Sequence, residues 1–280
     1  LKADPKHAPL FHAYAIMLKE QGRFDDAEEQ FKKGLKADPK HAPLFHAYAI
    51  MLNEQGRFEE AEEQFKKGIQ VDPKDAWLFQ AYALMLKGQG RFEEAEEQFK
   101  KGIQADPKNA WLFQAYALML KGQGRFKEAE EQFKKGIQAD PKHAPSYQAY
   151  ALMLKKKGHF EEAEEQFKKG IQADQKHAHS YQAYALMLKE MEYFEDAEEQ
   201  FKKGIQADPK HAPLYQAYAL MLKEQGRLEE AEKQFKKGIQ ADPKHLPSYR
   251  AYALMLEEQK RFDEAEEVME KALKFDPQKA

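Results

Sequence analysis

Residues 42–75 read Ala42-Pro43-Leu44-Phe45-His46-Ala47-Tyr48-Ala49-Ile50-Met51-Leu52-Asn53-Glu54-Gln55-Gly56-Arg57-Phe58-Glu59-Glu60-Ala61-Glu62-Glu63-Gln64-Phe65-Lys66-Lys67-Gly68-Ile69-Gln70-Val71-Asp72-Pro73-Lys74-Asp75. Phe45, Tyr48, Ala49 and Leu52 follow the i, i+3, i+4, i+7 rule for one buried helical face. Pro43 suits a first helical turn, where no backbone donor is required. Gly56 ends this helix, because the turn that follows favours a left-handed residue. A second helix starts near Glu59, with Phe58, Ala61, Phe65, Gly68 and Ile69 on one stripe. Asp72-Pro73 breaks it and turns the chain. Glu59, Glu60, Glu62 and Glu63 at its start and Lys66 and Lys67 toward its end match the helix dipole. Glu62–Lys66 and Glu63–Lys67 are i,i+4 pairs. The expectation for this charged stripe is a solvated outer face.

The same unit recurs. Asp4, Asp38, Asp72, Asp106, Asp140, Asp174, Asp208, Asp242 and Asp276 fall 34 residues apart, and Pro follows each except Asp174, where Gln175 stands. Eight units run 8–41, 42–75, 76–109, 110–143, 144–177, 178–211, 212–245 and 246–279, with no loop insertions. Equal copies at this period mean stacked helix pairs, each touching mainly its neighbours. The whole chain, 1–280, reads as one array, with residues 1–7 as the end of a preceding helix and its turn. The expectation at the ends is a segment of a longer array, or exposed ends that stack on something, end-to-end self-association included.

Composition narrows the function. Lys and Arg total 45 against 48 Asp and Glu, a net charge of −3 in 280 residues. That balance argues against a general nucleic-acid coater or a polybasic membrane binder. There is no Cys, which excludes disulfides, Cys-ligated metals and thiol nucleophiles. The longest apolar runs, such as Ala13 to Leu18, are six residues, too short for a membrane span or signal core. A soluble, intracellular chain is the expectation, with no membrane partner.

A 34-residue unit with an aromatic on its first helix, Ala61, Phe65 and a closing Pro73 resembles the tetratricopeptide repeat (TPR), over residues 8–279. Two features depart from that pattern. Tyr48 stands where Leu is common, and Gly68 and its six counterparts stand where Ala is usual. Aromatic-Ala-Tyr-Ala and Phe-Lys-Lys-Gly are similar to the half-a-TPR (HAT) variant of RNA-processing proteins. The resemblance implies an all-α, right-handed superhelical solenoid of eight helix–turn–helix repeats. Gly inside a helix costs about 1 kcal/mol relative to Ala, so the seven glycines point to a close helix–helix approach.

Catalytic and metal signals are weak. Ser146, Ser180 and Ser248 lie in different units, and no repeating His/Asp arrangement accompanies them in the sequence. No Gly-rich phosphate loop is present. Of the ten His, only His177 and His179 lie close together, and an i,i+2 pair on a helix points apart. No enzyme activity, cofactor or metal site is expected.

In TPR proteins the first helix of each pair lines a concave ligand face, at the second, fifth, ninth, twelfth and thirteenth positions of the unit. The resemblance places Trp77, Gln80, Leu84, Lys87, Trp111, Gln114, Leu118, Lys121, Gln148, Lys155 and Lys156 on that face. The co-chaperone pattern of Lys and Asn that clamps a C-terminal carboxylate is absent. Trp77 and Trp111 replace a Pro found in five units, and Gly88 and Gly122 replace a Glu. The central face thus loses acid and gains aromatics. In unit six, Glu192 replaces the turn Gly, so this turn is expected to differ in shape.

The leading expectation is a non-enzymatic interaction scaffold that binds a peptide or protein segment in its concave groove. The alternatives are a HAT-like scaffold for single-stranded RNA, and a structural spacer or self-assembling array without a groove ligand.

Overall fold

The computed structural model describes residues 8–275. Residues 1–7, where the preceding helix and turn are expected, lie outside them. Among the described residues there are sixteen α-helices and no strands. They form two compact units, Leu1–Asp140 and Pro141–Ala280. The first holds α1 (Ala8–Glu20), α2 (Phe24–Ala37), α3 (Ala42–Glu54), α4 (Phe58–Val71), α5 (Ala76–Gly88), α6 (Phe92–Ala105), α7 (Ala110–Gly122) and α8 (Phe126–Ala139). The second holds α9 (Ala144–Lys156), α10 (Phe160–Ala173), α11 (Ala178–Glu190), α12 (Phe194–Ala207), α13 (Ala212–Glu224), α14 (Leu228–Ala241), α15 (Leu246–Glu258) and α16 (Phe262–Leu273). Odd-numbered helices are the A helices of the repeats, and even-numbered ones the B helices.

Within each unit every A helix packs on its own B helix. Each B helix then packs on the A helix of the following pair, as α4 does on α5 and α12 on α13. A helices also pack on one another (α1 on α3, α3 on α5, α5 on α7, and likewise α9, α11, α13 and α15). Among the described residues, no two B helices of one unit pack in this way. Each unit therefore bends toward its A helices.

The stacking is specified by aromatics. Phe31 of α2, fully buried, stacks on Tyr48 of α3, with ring centroids 5.3 Å apart and planes 16° from parallel. Phe65–Tyr82 and Phe99–Tyr116 repeat this at 5.5 Å. In the second unit Phe167–Tyr184, Phe201–Tyr218 and Phe235–Tyr252 do the same. Such pairs contribute about 0.5–1.5 kcal/mol beyond the area they bury. They also account for Tyr in place of Leu, because the ring stacks while its hydroxyl reaches a polar neighbour. The Tyr48 hydroxyl donates to Glu28 Oε1 at 2.8 Å.

That same Glu corrects the expectation of a solvated outer face. The Arg57 guanidinium, just before α4, contacts Glu28 of α2 and also Glu60 at 2.6 Å. Arg91–Glu62 and Arg125–Glu96 repeat the rung at 2.6 Å, as do Arg227–Glu198 and Arg261–Glu232 at 2.6 and 2.7 Å. The expected i,i+4 pairs Glu62–Lys66 and Glu63–Lys67 form at 2.6 Å. Glu63 is 60% exposed, whereas Glu62 is 16% exposed and lies inside the inter-repeat network. Hydrogen bonds from the next repeat's Arg hold Glu28, Glu62, Glu96, Glu198 and Glu232 at a pKa of about 2. Tyr193 stands at the Arg position of the sixth repeat, and Glu164 is left with Lys168 and Tyr184. His159, at the Arg position of the fifth, turns to its own Glu162 at 2.8 Å.

The glycines of the B helices sit where two helices nearly touch. A methyl at Gly102 of α6 comes 2.9 Å from Phe79 Cβ of α5 and 3.2 Å from Leu112 of α7. A Cβ on a helix backbone does not move aside, so the approach requires Gly. The turn glycines do separate work: Gly56, for instance, takes φ 75° between α3 and α4. Glu192 was expected to change this turn, and it does not. It adopts φ 63°, with Glu192 N donating to Lys189 O and Tyr193 N to Leu188 O. Gly56 and Arg57 make the equivalent bonds to Asn53 and Leu52. The packing of the two helices holds the turn in place and Glu192 bears the strain, about 1 kcal/mol.

Phe58 is the other small departure: it is 40% exposed at the rim of the stripe, while Ala61, Phe65 and Gly68 are buried.

Gly102→Ala should destabilise the chain by about 1 kcal/mol in urea unfolding, the overpacking exceeding the gain in helix propensity. The rung carboxylates lie below their ordinary 4.5 in the folded state. Their contribution is complete above pH about 4.5 and is lost as pH falls toward 2. Arg91→Gln should therefore make unfolding less sensitive to pH across that window, while stability near neutral pH falls.

Candidate functional site

On α5, Trp77, Gln80, Leu84 and Lys87 are spaced i, i+3, i+7, i+10, so they share one face. Trp111, Gln114, Leu118 and Lys121 repeat that register on α7, which packs beside α5 in the first unit. Four large apolar side chains on this face are open to solvent: Trp77 is 52% exposed, Trp111 47%, Leu84 41% and Leu118 38%. The counterparts Ile16 and Ile50, on α1 and α3, are half-buried. Gln80 is half-buried, and its Oε1 has no hydrogen-bond partner among the described residues. Gln114 and Lys121 are half-buried.

Local chemistry explains how Trp77 is accommodated. Where other repeats have Pro in the first turn, no backbone N–H needs an acceptor. Trp77 brings one back, and Asp75 at the N-cap accepts from Trp77 N at 3.0 Å and Leu78 N at 3.4 Å.

The cations of the A helices fall into two states. Lys19 of α1 pairs with Glu54 of α3 at 2.7 Å. In the second unit Lys155–Glu190, Lys189–Glu224 and Lys223–Glu258 form the same cross-repeat bridge at 2.6–2.7 Å. Each joins the twelfth position of one repeat to the thirteenth of the next. Lys87 faces Gly122 at that place, and no carboxylate among the described residues pairs with it. Gly88 and Gly122 are exposed, and a methyl on either meets nothing within 4 Å. Packing does not require these two glycines. They stand where a Glu side chain reaches the neighbouring Lys in other repeats.

The three remaining sequence-expected residues belong to the second unit. The Gln148 amide donates to His179 O at 3.2 Å, and Gln182 and Gln216 make the same bond to Pro213 O and Pro247 O. Lys155 is engaged by Glu190. Lys156 is exposed.

The structure also brings together residues that the sequence appeared to keep apart. Each Ser has its own His three residues earlier: His143–Ser146 and His177–Ser180 at 2.7 Å, and His245–Ser248 at 2.8 Å. The arrangement therefore does repeat. Its role is packing: each Ser replaces a buried Leu and is fully buried, and the imidazole satisfies its hydroxyl. A nucleophile needs access that these hydroxyls lack. His177 and His179 do not point apart; their ring centroids are 5.6 Å from each other, and His179 lies 4.4 Å from His211. His177 is the N-cap of α11, with φ −76° and ψ 82°, so helical spacing does not govern it. Burial first, and then the His179 imidazole, lower the pKa of His177; burial and His179 do the same for His211. No group of three His, Asp or Glu among the described residues is placed to hold a metal ion. No helix among them is long and apolar enough to cross a membrane.

These features define a helical-repeat protein whose A helices carry an open, partly apolar face. The sequence profile of the tetratricopeptide repeat matches residues 18–85, 52–119, 86–153, 120–187, 188–255 and 222–280, and the chain belongs to that family. No curated protein sequence matches it. Among solved structures it is similar to yeast Tom70, with a TM-score of 0.68 at 21% identity over 90% of this chain. It spans 56% of the Tom70 chain. A tetratricopeptide repeat protein from Parabacteroides merdae gives a TM-score of 0.58 at 18% identity, covering 89% of this chain and 98% of its own. Human IFIT1, a dimer with m7Gppp-AAAA, gives 0.55 at 16% identity, covering 96% and 72%. At these identities the likeness is one of fold.

Gly122→Ala should raise stability by about 0.5 kcal/mol in thermal or urea unfolding, since the new methyl meets open space and helix propensity improves. Gly102→Ala should move the other way, and the contrast separates the two kinds of helical glycine.

Proposed function

We propose that the chain is a non-enzymatic interaction scaffold, and that an extended peptide or protein segment docks on the α5–α7 face of its first unit. Family membership supports an interaction scaffold in general terms. The observation that favours this face is the exposure of Trp77 and Trp111, at 52% and 47%, on adjacent A helices. A tryptophan left in water forfeits burial worth about 2–3 kcal/mol. Aromatic anchors of this type dominate peptide and protein interfaces. Leu84 and Leu118 extend the apolar surface along each helix.

Single-stranded RNA is the weaker alternative. Stacking faces are present, but phosphate binding draws on a row of available cations. Lys19, Lys155, Lys189 and Lys223 are each engaged by a Glu of the next repeat. The net charge of −3 adds no attraction for a polyanion. The nucleotide in the IFIT1 structure belongs to a protein that shares the fold at 16% identity.

The test starts from peptides selected from a displayed random library against the full chain. Joint Trp77→Ala and Trp111→Ala substitution should weaken their binding about tenfold or more in calorimetry, with far-ultraviolet circular dichroism unchanged. Equal affinity for the double variant refutes docking on this face. Added salt should alter peptide binding little, whereas binding through phosphates falls steeply with salt.

A further inference from the structure

The lysine–glutamate bridges between A helices show what Lys87 lacks. In four places a twelfth-position Lys meets a thirteenth-position Glu of the next repeat at 2.6–2.7 Å. The donor helix and its neighbour pack side by side each time, as α1 does on α3 and α13 on α15. Helices α5 and α7 pack in the same way, and Lys87 holds the same register as Lys19. Only the carboxylate is missing, because residue 122 is Gly. A methyl at Gly122 would meet nothing within 4 Å, so a side chain at this position starts into open space. Lys87 is half-buried at the end of a stripe that also carries Trp77 and Leu84.

Resting on the docking reading above, we propose that the bound segment is acidic as well as apolar, and that its Asp or Glu carboxylate takes the place of the absent Glu on Lys87. The occupant thus carries an aromatic or aliphatic side chain against Trp77 and Trp111 and a carboxylate near the C-terminal ends of α5 and α7. Trp77 and Lys87 are ten positions apart, a rise of about 15 Å along the helix. In an extended peptide that distance corresponds to about four or five residues. The ligand signature is an apolar residue and an acidic residue separated by about that number. A charge-assisted hydrogen bond to a half-buried ammonium is stronger than a neutral one. A neutral side chain at the acidic position therefore loses much of the affinity.

The experiment selects peptides from one displayed random library against the full chain and against its Lys87→Met variant. Peptides from the parent should be enriched in Asp or Glu at a fixed distance from an apolar residue, and those from Lys87→Met should not. For an enriched peptide, Glu→Gln should weaken binding about tenfold. Tryptophan emission reads this directly, because Trp77 and Trp111 are the two tryptophans of the chain. Gly122→Glu supplies an internal carboxylate and should abolish the tenfold preference. Gly122→Gln, of equal bulk and helix propensity, should preserve it and so controls for folding and steric effects.

A parent selection without acidic enrichment overturns the proposal, as does a Glu preference that survives Lys87→Met. In either case, peptides that still depend on Trp77 and Trp111 leave the docking face itself intact. If no peptide is enriched, or if the enriched ones ignore both tryptophans, the docking face and the proposal fail together. An oligouridylate that displaces the peptide through Lys87 and binds more tightly at physiological salt identifies a phosphate ligand and also overturns the proposal.

Discussion

Contact between one repeat's B helix and the next repeat's A helix carries this protein. A helix pair of this size does not bury its apolar face alone. Phe65 on Tyr82 closes the seam on its apolar side, with rings 5.5 Å apart. Glu62, held by Arg91 at 2.6 Å, closes it on the polar side. Tyr joins the two, because its ring stacks while its hydroxyl faces the carboxylate, as Tyr48 and Glu28 show at 2.8 Å. Gly102 then permits the separation at which α6 meets both Phe79 and Leu112. Stack, rung and glycine are one device, repeated along the chain except where His159 and Tyr193 replace the rung Arg.

Against that regular background the proposed docking face is defined by what is taken away. The cross-repeat lysine bridges use up the cations of the A helices wherever a Glu follows. Gly122 removes one such Glu and leaves Lys87 available. Trp77 displaces a proline, and Asp75 accepts the backbone donor that comes with it. The result is an apolar surface on α5 and α7 beside one uncommitted positive charge. The hydroxyls of Ser146, Ser180 and Ser248, each held by a His, are fully buried.

Much of the fold was legible in the chain because helical spacing and period are local properties. Phe45, Tyr48, Ala49 and Leu52 announce a buried face, and all four are buried. Gly68 announces a close approach, which Phe45 and Leu78 supply at 3.0 Å. The outer rung is not legible in local spacing, although Arg recurs with the period and Glu lies 29 residues before it. A salt bridge across repeats depends on the rise and turn between them, which local spacing does not state. The turn at Glu192 departs from its residue preference for a related reason. Residue preference favoured a new shape, and the helices on either side imposed the old one at φ 63°.

By itself the sequence determined the number and length of the helix pairs, their buried stripes, and the replacement of Pro and Glu by Trp and Gly in the third and fourth repeats. These follow from order and spacing along one strand of chain. Tertiary structure alone decided which charges remain available. Lys19, Lys87 and Lys155 occupy the same position in their repeats, yet two of them meet a carboxylate on the neighbouring helix and Lys87 does not. Whether a lysine is committed or open depends on the residue that packing sets opposite it, 35 positions further along the chain.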